Sequence, residues 1–96
     1  MADTITDKGT LQKRSMRIKG HRTSLALEVE FWLGLEALAQ WKGATLPVQV
    51  AAIDADRLKH TPDASLASAV RVEVLKFTSS HLATTLRNQL LDKLAA

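Results

Sequence analysis

His21-Arg22-Thr23-Ser24-Leu25-Ala26-Leu27 runs without a break into the amphipathic stretch Glu28 to Lys42, a short alternating strand feeding a helix. Successive strand side chains point to opposite sides, so Thr23, Leu25 and Leu27 share one face while Arg22, Ser24 and Ala26 share the other. One face can be buried and the other shown to a partner.

Downstream, Phe31, Trp32, Leu35, Leu38 and Ala39 recur at the three-and-four spacing of a helix, which predicts a first helix from about Val29 to Lys42. Gly43 supplies its stop. Thr45 is placed to cap a second helix from Leu46 to about Leu58, with Leu46, Val50, Ile53 and Arg57 or Leu58 on one side; Pro47 fits only its first turn. His60-Thr61-Pro62-Asp63 reads as a linker, after which Asp63 or Ser65 can cap a third helix whose stripe uses Leu66, Val70, Val74 and Phe77. Leu82, Leu86, Leu90 and Leu94 then repeat every four residues. A helix continuing or restarting near Ser79-Ser80 would carry them as an apolar strip, for packing on the domain or on a partner.

Upstream the reading divides. Residues 1–12 are polar and aperiodic, as in a flexible arm. Ser15-Met16-Arg17-Ile18-Lys19 alternates until Gly20 interrupts it, which fits an extra strand turning at Gly20 or an extended arm that orders on nucleic acid.

Ninety-six residues, 46% of them hydrophobic, make one domain. A chain of this size buries only about two thirds of its unfolded surface, so a homodimer is the expected way to cover a leftover apolar face. With no cysteine, disulfides, thiolate metal sites and cysteine nucleophiles are excluded. The N-terminal residues lack the apolar core of a signal peptide, and the longest weakly apolar run, Ala44 to Ile53, is far short of a membrane span; a cytoplasmic protein is expected. Residues 1–23 hold six basic and two acidic side chains, whereas the rest of the chain holds seven and eight. The cationic part is therefore the arm and strand region, where a polyanion would dock.

The blocks Gly20-His21-Arg22-Thr23-Ser24-Leu25-Ala26-Leu27-Glu28, Phe31-Trp32, Ala51-Ala52-Ile53-Asp54 and Ser65-Leu66-Ala67-Ser68-Ala69-Val70-Arg71-Val72 together resemble short bacterial ribbon-helix-helix proteins, over about residues 14–77. In the wider superfamily, which includes the Arc and Met repressors, two chains each donate a strand to an antiparallel ribbon that enters the DNA major groove. The resemblance implies a mainly α protein with one short β-strand per chain, an intertwined homodimer with an intermolecular ribbon, and an additional C-terminal helix. Its parts would be an arm (1–12), the ribbon-helix-helix domain with the third helix (13–78) and a C-terminal helical extension (79–96).

It also implies roles. Arg22, Ser24 and Ala26 would face the bases: Arg22 bidentate to guanine, Ser24 donating or accepting, Ala26 at most touching a thymine methyl. Lys13, Arg14, Arg17, Lys19, His21, Thr45 and Leu46 would lie along the DNA backbone, and Leu25, Leu27, Phe31, Trp32, Leu35, Val50 and Ile53 would form the dimer core. Pro47 deletes a first-turn donor and Leu46 stands where a polar or basic residue is more usual, so the phosphate clamp at the second helix is expected to be weak.

Catalysis finds little footing. His21, His60 and His81 are far apart in sequence, Glu28 and Glu30 sit where acids favour a helix start, and Asp54 and Asp56 do not face each other on a helix. No enzyme, metal or cofactor is expected. The expected function is sequence-specific binding of double-stranded DNA as a homodimer, as a transcriptional repressor or autoregulator. The alternative is a dimeric protein-interaction module or antitoxin-like protein with weak or lost DNA binding, engaging a protein partner through the C-terminal helix.

Overall fold

The computed structural model describes residues 11–95, in which two strands precede three helices: β1 (Leu11–Ile18), β2 (His21–Glu28), α1 (Val29–Trp41), α2 (Leu46–His60) and α3 (Leu66–Ala95). The strands form an antiparallel hairpin from Leu11↔Glu28 to Ile18↔His21. Lys19 and Gly20, the two residues between them, have φ of 52° and 82°. Positive φ at both central positions is the type I′ geometry, whose twist matches that of paired strands. Gly20 adopts it freely, whereas a non-glycine residue such as Lys19 costs about 1–2 kcal/mol there.

The hairpin corrects the expectation of one short strand per chain. Alternation over residues 15–19 belongs to a second strand turning at Gly20, which pairs with one edge of β2. Leu11 and Gln12, assigned above to the arm, open β1; the remainder of the arm, residues 1–10, lies outside the described residues.

Helices cover one side of the hairpin, with β1 on α2 and β2 on α1 and α3. The core between them draws on every element: Ile18 from β1, Leu25 and Leu27 from β2, Trp32, Leu35 and Leu38 from α1, Val50 and Ile53 from α2, Val70 and Val74 from α3. Six of the seven residues assigned to a dimer core are thus buried against their own chain, and Phe31 packs at its margin. β1 and α3 contribute to that core, while Val29, Leu33, Trp41, Val48 and Leu58 remain exposed on the helices.

Local signals set the helix ends. After α1, Gly43 (φ 65°) donates to the Gln40 carbonyl and Ala44 to the Ala39 carbonyl, the paired bonds of a Schellman stop. Thr45 caps α2 by accepting the Val48 N–H at 3.3 Å, and Pro47 occupies the first turn. At its other end, two residues beyond the expected Leu58, Arg57 is paired with Asp54 and donates to the Ala64 carbonyl, tying α2 to the linker. Ser65 accepts the Ser68 N–H and caps α3.

α3 passes through Ser79-Ser80 unbroken, so the C-terminal extension is the same helix and not a restart. Its buried residues, Val70 and Val74, lie in its first three turns, and Leu82, Leu86, Leu90 and Leu94 are exposed.

Candidate nucleic-acid interface

Directly opposite residues of an antiparallel pair project from the same face. The register therefore gathers Lys13 with Ala26, Ser15 with Ser24 and Arg17 with Arg22 on the side of the hairpin away from the core. All are exposed except Ala26, which is half-buried. Because Ile18↔His21 flank the two-residue turn as a hydrogen-bonded pair, alternation makes these three the non-hydrogen-bonded pairs, whose side chains lie closest. The sequence-assigned readers Arg22, Ser24 and Ala26 share this face, and Lys13 and Arg17 join it from β1.

Arg17 and Arg22 are directly opposite in the register next to the turn, so both cationic side chains leave the same face there. Like charges directly opposite each other destabilise a sheet, and an anion between them relieves that repulsion. The Arg17 guanidinium donates to the Gly20 carbonyl at 3.1 Å, which draws it toward the turn. Lys19 and His21 add exposed polar groups at the tip. At the far end Glu28, in register with Leu11, is held by Arg71 of α3 at 3.0 and 3.2 Å. That hydrogen bond first, with the charge of Arg71 as a smaller contribution, keeps the Glu28 carboxyl below its ordinary range.

Arg14 goes elsewhere. It follows Lys13 by one residue and so belongs to the opposite face, where its Nη1 donates to Glu36 at 2.9 Å and its guanidinium lies 4.3 Å from the Trp32 ring centroid. Trp32 in turn donates its Nε1–H to the Gln12 carbonyl at 2.8 Å. Arg14 thus clasps the hairpin to α1, and it does not join the outer cationic face.

The start of α2 also contributes little. The Thr45 hydroxyl is occupied by Val48, Pro47 has no N–H, and the Leu46 side chain packs against the core. Few donors remain there for a phosphate.

Sequence reasoning missed two residues on or near this face. Ser15 was assigned no role, because only the register of β1 reveals that it stands opposite Ser24. Arg71, from a helix 43 residues away, is what neutralises Glu28. The aromatic residues lie apart: Trp41 sits edge-on to His81 at 5.1 Å and 6.3 Å from Phe77, between α1 and α3. His60 and Asp56 meet at 3.0 Å as an exposed pair one turn apart on α2.

A family profile described as "Ribbon-helix-helix domain" matches residues 11–78, from the first residue of β1 to the fourth turn of α3. No curated protein and no solved structure matches the chain.

Proposed function

The chain belongs to the ribbon-helix-helix domain family, whose members are DNA-binding transcription regulators in general, and from that premise we propose that it binds double-stranded DNA sequence-specifically as a homodimer and acts as a repressor or autoregulator. The observation that carries this reading is the outer face of the hairpin. Lys13, Arg17 and Arg22 converge there on a narrow two-stranded ribbon, the shape that the major groove admits.

Binding would be stoichiometric. Lys13 and the turn residues Lys19 and His21 attract phosphates and release counterions, while Arg22 offers a fork of donors to the O6 and N7 of a guanine and Ser24 bonds to a neighbouring base edge. Ala26 contributes a methyl-sized contact. A bound dimer would block polymerase. In the arrangement implied by the family, two chains pair β2 with β2 along the edge that β1 leaves open. A cytoplasmic location accords with a DNA-directed role, and no helix among the described residues is long and apolar enough to cross a membrane.

Fluorescence anisotropy of a labelled duplex from the region upstream of the coding sequence, against a scrambled duplex at low and near-physiological salt, tests the reading. Salt-dependent binding that discriminates between the duplexes is expected. Equal binding to both that vanishes with salt would leave only a basic surface.

One observation favours a second reading, a protein-interaction module. Leu82, Leu86, Leu90 and Leu94 line the part of α3 beyond the core and are all more than half exposed. A co-purifying protein lost on deleting residues 79–96, together with no discrimination between duplexes, would establish it.

A further inference from the structure

Arg22, Ser24, Ala26 and Glu28 alternate along β2 onto one face, so the row that carries the reading arginine ends in a carboxylate. In the register Glu28 stands opposite Leu11, one step along that face from Lys13 opposite Ala26. Glu28 is therefore a diagonal neighbour of Lys13. Such neighbours lie about 7–8 Å apart, within reach of long side chains and inside the Debye length of about 8 Å at physiological salt. A carboxylate left on that face would offset the charge that Lys13 presents to a phosphate.

The structure gives Glu28 another partner. Arg71, in the second turn of α3 and next to the fully buried Val70, donates from Nε to Oε1 at 3.0 Å and from Nη2 to Oε2 at 3.2 Å. Its guanidinium also lies 5.9 Å from the Phe31 ring centroid. The two-bond fork fixes direction as well as charge, since both carboxylate oxygens are taken toward α3. The Arg71 and Glu28 side chains remain 33% and 35% exposed, which puts the pair at the rim of the domain. An ion pair in that position contributes modestly to stability, and its charge is felt on the neighbouring face.

We infer that Arg71 is a positioning residue for the DNA face: by holding both oxygens of Glu28 toward α3 it keeps that carboxylate from the outer row of the hairpin and leaves the charge of Lys13 to a phosphate. This rests on the DNA-binding reading and adds to it a residue of α3 that need touch neither base nor phosphate. It holds whichever strand completes the ribbon, because Lys13, Glu28 and Arg71 belong to one chain.

Anisotropy titrations of a discriminated duplex at several salt concentrations test it, with a thermal melt of each variant to confirm folding. Arg71→Gln, and Arg71→Met, which keeps apolar bulk against Phe31, are each expected to weaken binding about three- to tenfold. The dependence of log K on log salt should become shallower by about one for each chain bound, as on losing a phosphate contact. Glu28→Gln added to either variant is expected to restore the affinity to within about twofold and the slope with it. Lys13→Ala should cost less affinity in the Arg71 variants than in the wild type, because that contact is already offset.

A purely structural Arg71 predicts otherwise. Its variants would lower Tm and weaken binding with the salt slope unchanged, Glu28→Gln would not restore the loss, and Lys13→Ala would add its full cost. That pattern, or unchanged affinity in both Arg71 variants, overturns the inference with DNA reading intact. A wild type that does not discriminate between duplexes removes the DNA reading itself, and the inference falls with it.

Discussion

Arg14 stacks its guanidinium 4.3 Å from the ring centroid of Trp32, on the face of β1 opposite to the one that carries Arg17. Two arginines three residues apart therefore do different work, one closing the hairpin onto α1 and the other standing in the cationic face. The Arg14–Glu36 pair is partly exposed, with side chains 40% and 47% accessible, so most of the stabilisation comes from the stack. Arg14→Ala is expected to cost about 1 kcal/mol, which lowers Tm by several degrees in a domain of this size, with DNA affinity changed less than threefold. Arg22→Ala should do the reverse. Thermal melts paired with anisotropy titrations of both variants check this; equal losses of affinity would put Arg14 on the DNA.

Gly34, in the middle of α1, has its place because α3 passes close by. A Cβ added there would overlap Cγ1 of Val74, a residue buried in the core. An alanine in a helix interior ordinarily gains about 1 kcal/mol over glycine, but overpacking a filled core costs about 1–3 kcal/mol. Gly34→Ala is therefore expected to lower stability in urea melts. Val74→Ala in the same chain should recover part of the loss, a coupling that a double-mutant cycle measures. A stabilised single variant would mean that α3 does not rest on α1.

Much of this architecture was legible because helix periodicity, caps and strand alternation are local. Phe31-Trp32-Leu35-Leu38, Gly43, Thr45 and Ser65 mark the elements where the structure has them, and the alternation in β2 assigned Arg22 and Ser24 to the outer face. Pairing is not local. Whether Ser15 to Lys19 made a strand depended on what lay opposite, and Lys19 is a poor advertisement for a type I′ turn. Without the register, Arg14 and Arg17 look alike, and Ser15 has no partner to give it meaning. The same limit applies to Arg71, whose bond to Glu28 spans 43 residues.

That bond gives stability an acid limb. Arg71 holds the Glu28 carboxyl below its ordinary value of 4.5, so the folded chain takes up that proton less readily than the unfolded chain. Its contribution is complete above the unfolded value and is lost as pH falls through the folded one. Wild-type Tm should drop between neutral and acid pH by more than that of Glu28→Gln, which lacks the titrating group, while at neutral pH the variant should be the less stable of the two. Parallel curves for the two proteins would remove Glu28 from the acid transition.

The outer half of α3 should be separable from the fold. Its core residues, Val70 and Val74, precede residue 79, and beyond the core its one aromatic contact among the described residues is His81 against Trp41 and Phe77. An isolated helix of about that length is marginal in water, so residues 79–95 take their helical order from the α3 turns already formed on the domain, and with few contacts of their own they return little stability to it. Deleting residues 79–96 is expected to leave Tm within a few degrees and the hairpin's DNA affinity within threefold. Trp41, 67% exposed and edge-on to His81, should change its emission, while the fully buried Trp32 stays constant as an internal reference. A Tm loss of ten degrees or more would mean that the leucine strip is covered in the native protein, and a concentration-dependent Tm in the full chain alone would identify the cover as a second copy.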